Sequence, residues 1–353
     1  MKSLIFGYGI TGRSIERYLR KKDIAFDIYD EKVVRPNVIN RLPNRKSLES
    51  FDKVYLSPGI NIKKIYPEGE FNQIQYLTDL DIFFQEDNSY KIGITGTNGK
   101  STCCYHLHQL LDGSQLIGNI GSPVLDNIDS SKYSIIELSS FQLEKVKDIK
   151  IDFGVLLNIA PDHIDHHGSF EEYKNVKNRI KESKISTEES DPKKLWSMIT
   201  GKDQCEINDI KLLELPHRQE HVATVGKLVF VNDSKATNLT ALEFALEKIS
   251  NPHILILCGD PSKENYKNYQ IFSPKKIYIF GKHASEISKR VFHPKKITLQ
   301  SKGISSVIKL ILEDMYDCQT TILFSPGHPS GKDYKNFEER GNDFIKYVNS
   351  IND

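Results

Sequence analysis

The sequence predicts an α/β protein built on mostly parallel sheets, and three observations carry that prediction. Near the N-terminus an apolar run, Ser3 to Phe6, enters a G-x-G-x-x-G turn at Gly7, Gly9 and Gly12 and continues as a helical pattern. A second apolar run enters the string GTNGKST, again followed by a helical pattern. From Lys227 onward, short β-branched runs alternate with amphipathic stretches. Such alternation marks a parallel sheet, because parallel neighbours must be joined by crossovers, usually helices.

Bulk properties narrow the function classes. A chain of 353 residues exceeds one ordinary core and suggests two or three domains. Basic and acidic residues number 48 and 47, for a formal net charge of +1, so no nucleic-acid partner is expected. No apolar run reaches the roughly 20 residues of a membrane span. The chain opens on the strand-like SLIFG and not on a signal peptide, so a cytoplasmic location is expected. Five irregularly spaced cysteines read as reduced thiols. Of these, Cys103 and Cys104 precede His108 on the helix behind the second glycine loop, where packing explains them better than a metal does.

In chain order, the first strand and its glycine turn lead into a helix through about Leu19, then a strand from Ala25 to Tyr29 ending at Asp30. This arrangement fits a site for a phosphate-containing ligand, with the acid placed for a ribose or another polar group. A short strand, Lys53 to Leu56, runs into Ser57, Pro58, Gly59 and Ile60. Open α/β sheets take ligands at such strand ends, although a plain Pro-Gly turn fits these residues equally well.

The stretch Lys91 to Thr102, KIGITGTNGKST, reads as a strand feeding a phosphate loop. Gly96 and Gly99 let the backbone of Thr97 and Asn98 turn around phosphate oxygens, Lys100 faces the outer phosphates, Ser101 suits Mg²⁺, and Thr102 opens the helix. The strict spacing G-x-x-x-x-G-K-[ST] is broken by Ile94. Two more buried strands follow, Ser134 to Leu138 and Phe153 to Ile159, and Glu137 interrupts the first. A buried carboxylate needs a cation or hydrogen bonds, and beside a phosphate loop the expected cation is Mg²⁺. The second strand empties into Asp162, His163, Asp165, His166 and His167. That cluster suits a nucleotide–metal site better than a hydrolase metal site, with most of its histidines as bystanders. Glu182 to Asp191 reads as a surface loop or linker, and Pro192 to Ile199 as a short helix.

After Leu215 comes a strand from Lys227 to Val231, a loop from Asn232 to Asn238, and a helix with Leu239, Leu242, Leu246 and Ile249 on one face, capped by Asn238. Strands Ile254 to Cys258, Ile277 to Phe280 and Thr321 to Phe324 alternate with helices. The final helix sets Phe337, Phe344, Ile345 and Val348 at core spacing.

The strings GTNGKST, NIGSP, ELSSFQLE, NIAPDHIDHHGS, PHRQE, NDSKATN and SP(x8)KNFEERG stand here in one order. Together they resemble the Mur ligases, most closely those that add D-glutamate to UDP-N-acetylmuramoyl-L-alanine in cytoplasmic peptidoglycan precursor synthesis. The resemblance implies three α/β domains: 1–89 for the UDP-sugar, a shortened 90–215 for ATP, and 216–353 for the amino acid. It also implies ATP, two Mg²⁺ ions and a monomer. By motif, Gly9, Thr11, Asp30 and Ser57 fall at the UDP moiety, Asn119 and Ser140 at the muramoyl group, and Gly96 to Thr102 at the ATP phosphates. Glu137 and His163 match metal ligands. Lys177, in Y-x-x-x-K with Tyr173, matches a lysine carbamylated to serve the second metal. Arg218 and Asp233 match ATP contacts, while Lys235, Thr237, Lys263, Ser330 and Tyr334 match the amino-acid neighbourhood.

The chemistry suits these residue types. A carboxylate must be phosphorylated before an amine can displace phosphate from it, and the clustered negative charge calls for cations and backbone amides. Two departures stand out. The chain is shortened after Lys177 and lacks the family's H-N-x-x-N string, which contributes to the adenine site. The loop Gly327 to Asp333, GHPSGKD, differs from the family's usual one. Another amide ligase of this superfamily, or a nucleotide-binding scaffold without catalysis, remains open as an alternative.

Overall fold

Five parallel strands make the first sheet: β1 Lys2–Phe6, β2 Ala25–Tyr29, β3 Val38–Ile39, β4 Lys53–Leu56 and β5 Tyr76–Leu77, in the spatial order β3-β2-β1-β4-β5. The order reverses between β1 and β4, so their C-terminal ends, carrying Gly7 to Gly9 and Ser57, flank the crevice where such sheets bind ligands. The computed structural model describes residues 2–66, 75–263 and 268–351, without the side chains of Lys63 and Lys263. The chain divides into two compact units, Met1–Leu213 and Glu214–Asp353.

Helix α1, Ile10–Lys21, starts from Gly9 and buries Ile15 and Leu19. Its entry depends on two glycines. Gly7 sits at φ +94°, and a Cβ on Gly12 would lie 2.1 Å from the Gly7 carbonyl oxygen. Backbone on backbone leaves no side chain to yield, so Gly12→Ala is expected to destabilise this unit by about 3 kcal/mol, measurable as a lowered urea midpoint. An unchanged midpoint would refute the close approach. Short helices α2 Arg45–Glu49 and α3 Ile62–Ile65 follow, then α4 Asp79–Glu86, started by a reciprocal Thr78–Asp81 capping box.

The second sheet is also parallel: β6 Tyr90–Thr95, β7 Ser114–Gly118, β8 Tyr133–Glu137, β9 Phe153–Leu156 and β10 Ile185–Thr187, in the order β10-β9-β6-β8-β7. Its helices are α5 Lys100–Leu110, α6 Ser140–Lys145, α7 Ile164–His167, α8 Phe170–Asn178 and α9 Pro192–Thr200. Strand β10 lies inside the stretch expected to be a loop. It pairs with β9 on one side only, through backbone bonds that require no apolar pattern, which is why composition hid it. The two sheets share one apolar cluster that includes Ile5, Leu80, Phe83, Ile136 and Leu138. Arg17 reinforces the contact by a bidentate bond to Asp126, at 3.0 and 2.6 Å.

The second unit holds β11 Glu220–Val225, β12 Leu228–Asn232, β13 His253–Leu257, β14 Tyr269–Gln270, β15 Lys276–Gly281, β16 Val291–Phe292, β17 Lys296–Gln300 and β18 Thr320–Phe324. Six of them form a sheet ordered β11-β12-β18-β13-β15-β17, with helices α10 Leu239–Glu247, α11 Ala284–Arg290, α12 Ile304–Glu313 and α13 Phe337–Asn349. All pairings in this sheet are parallel except β11–β12, an antiparallel edge hairpin. Asn238 caps α10 as expected, accepting from Ala241 N at 2.8 Å. No helix among the described residues is long and apolar enough to cross a membrane. All five cysteines are free, with Cys103, Cys104 and Cys258 buried.

Candidate active site

Strand β6 is buried along nearly its whole length and delivers the loop from the sheet's centre. Gly96 at φ +157° and Gly99 at φ +81° make the turn, and Gly99 is the N-cap of α5. The first-turn amides of α5 therefore point out of the helix at the loop, where they favour an anion. A residue not anticipated from sequence holds the loop from behind. Asn158, just past β9, accepts from Thr97 N through its carbonyl at 2.9 Å and from Asn98 N through Oδ1 at 2.9 Å, and its Nδ2 donates to Asn98 O at 3.0 Å. Two loop amides, those of Thr97 and Asn98, are thus occupied internally, unlike the sequence expectation that they turn toward phosphate oxygens. The only sequence signal for Asn158 was a polar residue at a strand end.

Two lysines converge on this loop. Lys100 Nζ donates to Gly96 O at 2.7 Å and Thr97 O at 2.8 Å. Lys177 Nζ, from α8, donates to the same Gly96 O at 2.9 Å and to Thr95 Oγ1 at 3.0 Å. Lys177 is 1 % exposed. Burial, with the neighbouring Lys100 as the second cause, lowers its pKa to about 7. Tyr173, one helical turn earlier, packs under that ammonium and bonds through its hydroxyl to Thr97 Oγ1 at 3.0 Å.

Glu137 ends β8 beside Ile94 and is 1 % exposed. One carboxylate oxygen accepts from Asn119 Nδ2 at 2.7 Å; the other is buried with no hydrogen-bond partner among the described residues. An orphaned carboxylate oxygen next to a phosphate loop is what a Mg²⁺ ligand requires, so these residues fit the ion. His163, at φ +51° before α7, keeps a half-exposed ring 6.5 Å from that of Tyr173. Of its neighbours, His166 bonds Glu144 at 2.8 Å, and His167 is buried. Ser140 is buried at the start of α6, behind the Ser139–Gln142 capping box.

In the first sheet, Gly9 and Ile10 are exposed and Thr11 is half-buried at the mouth of α1. Asp30 is used by the backbone, accepting from Tyr8 N, Lys32 N and Val33 N, which lowers its pKa against the opposing effect of burial. Ser57 Oγ donates to Gly7 O at 2.7 Å and ties the two crevice loops together. In this structure both side chains hold the crevice loops through backbone groups.

In the second unit Asp233 opens the loop after β12, accepting from Ser325 Oγ at 2.7 Å and Gln219 N at 3.2 Å. Burial pushes its pKa up to about 6, and the half-buried Arg218 opposes that rise. Lys235 Nζ lies 3.6 Å from the Phe337 ring centroid, Thr237 is half-buried, and Ser330 is buried. Tyr334 donates to Asp343 at 2.8 Å. The side chain of Lys263 lies outside the described residues. Sequence reasoning passed over Arg340, which is 0 % exposed. Its guanidinium donates to Ser234 Oγ and O and to His328 O at 2.7–3.0 Å, joining α13 to the loops that carry Asp233 and Ser330. Its signal was a charge among the apolar positions of the last helix.

Residues 94–190 match the Mur ligase middle domain. The chain is 31 % identical to the UDP-N-acetylmuramoylalanine–D-glutamate ligase of Buchnera aphidicola subsp. Acyrthosiphon pisum (strain Tuc7), over 99 % of this chain and 98 % of that protein. The ligase of the same name from Rickettsia bellii is 28 % identical, over 99 % and 97 %. The Buchnera alignment spans 436 positions against a chain of 353 residues, so that relative carries segments this chain lacks. The fold resembles that of the Thermotoga maritima MurF ligase solved with ADP, with a TM-score of 0.56 at 14 % identity, covering 99 % of this chain and 95 % of that one. It also resembles the UDP-N-acetylmuramate–alanine ligase of the same organism, with a TM-score of 0.54 at 10 % identity, covering 99 % and 100 %.

Proposed function

From the premise that this chain belongs to the Mur ligase family, we propose that it joins D-glutamate to UDP-N-acetylmuramoyl-L-alanine with cleavage of ATP. The relatives that match along nearly the whole chain carry that name, and a glycine loop at the C-terminal end of a central strand in each sheet of the first unit supports the reading. The observation that carries the chemistry is the set of Lys100, Lys177 and the orphaned Glu137 around one phosphate loop.

In this reading the alanyl carboxylate takes the terminal phosphoryl group of ATP, giving an acyl phosphate and ADP. The glutamate amine attacks the acyl carbon, phosphate leaves, and the amine's protons pass to solvent. The α5 amides and Lys100 position the phosphates and offset their charge. Glu137, His163, Ser101 and Lys177 as its carbamate would hold two Mg²⁺ ions, whose chemistry is to neutralise charge between the phosphates and the attacking carboxylate. Gly9, Thr11 and the loops fixed by Asp30 and Ser57 would take the UDP moiety, and Asn119 with the Ser140 turn would face the muramoyl group. Arg218 and Asp233 would serve ATP, and Lys235, Thr237, Lys263, Ser330 and Tyr334 would border glutamate. Three domains, 1–89, 90–215 and 216–353, a monomeric state and a cytoplasmic location belong to the same proposal.

Phosphate release is expected only when ATP, Mg²⁺, the UDP-sugar and D-glutamate are all present, with every single omission reducing it to background. Equal release without the UDP-sugar would show a plain ATPase. Activity with another amino acid in place of D-glutamate would move the chain to a different ligase of the family.

A further inference from the structure

We propose that Glu144, His166 and His167 form a binding site for a divalent transition-metal ion of the zinc class, separate from the residues assigned to Mg²⁺. One ligand atom from each of the three lies within 4.8 Å of the others. Glu144 comes from α6 and the two histidines from the end of α7, so two elements of the same unit converge on one point. Phe141 backs the cluster, with ring centroids 4.4 Å from His166 and 5.8 Å from His167.

The independent observation is His167. It is 3 % exposed, and its Nε2 is shut off from solvent with no hydrogen-bond partner among the described residues. A buried, unpaired ring nitrogen carries an uncompensated desolvation penalty, which coordination through that atom would remove. His166 Nε2 already lies 2.8 Å from Glu144 Oε2. Tetrahedral zinc with bonds of about 2.0–2.1 Å sets its ligands roughly 3.3 Å apart. The Glu144–His166 pair must therefore open slightly and the third atom close in, which are side-chain movements. Two imidazoles and one carboxylate select zinc-class ions over Mg²⁺, which prefers an octahedron of oxygens, and they leave a fourth position for water.

Two neighbours set the terms of binding. Lys145 Nζ stands 3.7 Å from the same Glu144 oxygen and opposes a second cation, so the site binds more weakly than a structural zinc centre. Asn61 Nδ2 lies 3.0 Å from His166 Nδ1, while Asn61 Oδ1 caps α3 by accepting from Lys64 N at 3.0 Å. A metal on His166 Nε2 puts the ring proton on Nδ1, so the Asn61 amide must turn and release that cap. Occupancy is thereby coupled to the loop after β4.

The test uses the full chain, stripped with chelator and kept in excess Mg²⁺. Co²⁺ alone is titrated by its visible d–d absorption and Zn²⁺ alone by calorimetry. One equivalent should bind, with affinity lowered at least about 100-fold in Glu144→Gln, His166→Gln and His167→Gln and unchanged in His163→Gln. If the buried His167 variant fails to fold, His166→Gln decides the question. Absence of a stoichiometric site in the wild-type chain, binding that survives His166→Gln, or binding lost through His163→Gln would each overturn the proposal.

Discussion

Lys177→Ala is expected to lower kcat by about 100-fold or more, with formate or acetate restoring part of the loss. The amine is buried and bonded to Thr95 Oγ1 and Gly96 O, and burial together with Lys100 brings its pKa to about 7. An ordinary lysine near 10.4 would be neutral in roughly one molecule in 2,500 at neutral pH. At a pKa of about 7 a large fraction is neutral, and only the neutral amine adds CO₂ to give a carbamate and a proton. The sign follows: as pH falls through about 7 the amine is protonated and the carbamate is lost, so activity should decline on the acid side and recover with added bicarbonate. An unmodified ammonium beside a dication would be repelled by several kcal/mol at an effective dielectric near 20. A pH–rate profile with and without bicarbonate, alongside carboxylate rescue of the variant, measures this. Near wild-type turnover in Lys177→Ala, or a profile indifferent to bicarbonate, would sink the carbamate.

Lys100→Ala should reduce turnover by about 10³-fold while leaving UDP-sugar affinity within about twofold. Its ammonium lies on Gly96 O and Thr97 O at the mouth of α5, on the second sheet, whereas the glycine turn and Ser57 assigned to the UDP moiety lie on the first. The same substitution removes the second cause of the low Lys177 pKa, so the acid limb of the residual activity should shift to higher pH. Calorimetry with the UDP-sugar in the absence of ATP separates the two sites. A folded Lys100→Ala protein that has lost UDP-sugar binding would contradict the division of ligands between the sheets.

The phosphate loop, the N-terminal glycine turn and the parallel α/β architecture were determined by the sequence itself. A positive φ at Gly99, the close approach at Gly12 and the cap at Asn238 are each settled by a few neighbouring residues, so local chemistry suffices to predict them. Edge strands were not legible. β10 is recruited by backbone pairing to β9, and β11 reverses direction on an exposed edge, so neither needs the apolar period that marks a buried strand.

At the candidate site, motifs named the residue types, but only the tertiary structure decided their state. Lys177 meets Gly96 O across 81 positions, and Glu137 retains an unpaired oxygen because Asn119, from the strand end beside it, satisfies just one. Asp30 and Ser57, which sequence placed on the ligand, are bound to the crevice backbone. Charge state, desolvation and partner depend on which distant groups share a volume, and no local pattern encodes that. The backbone dihedral at a glycine does not depend on such company, and so it could be read from the string alone.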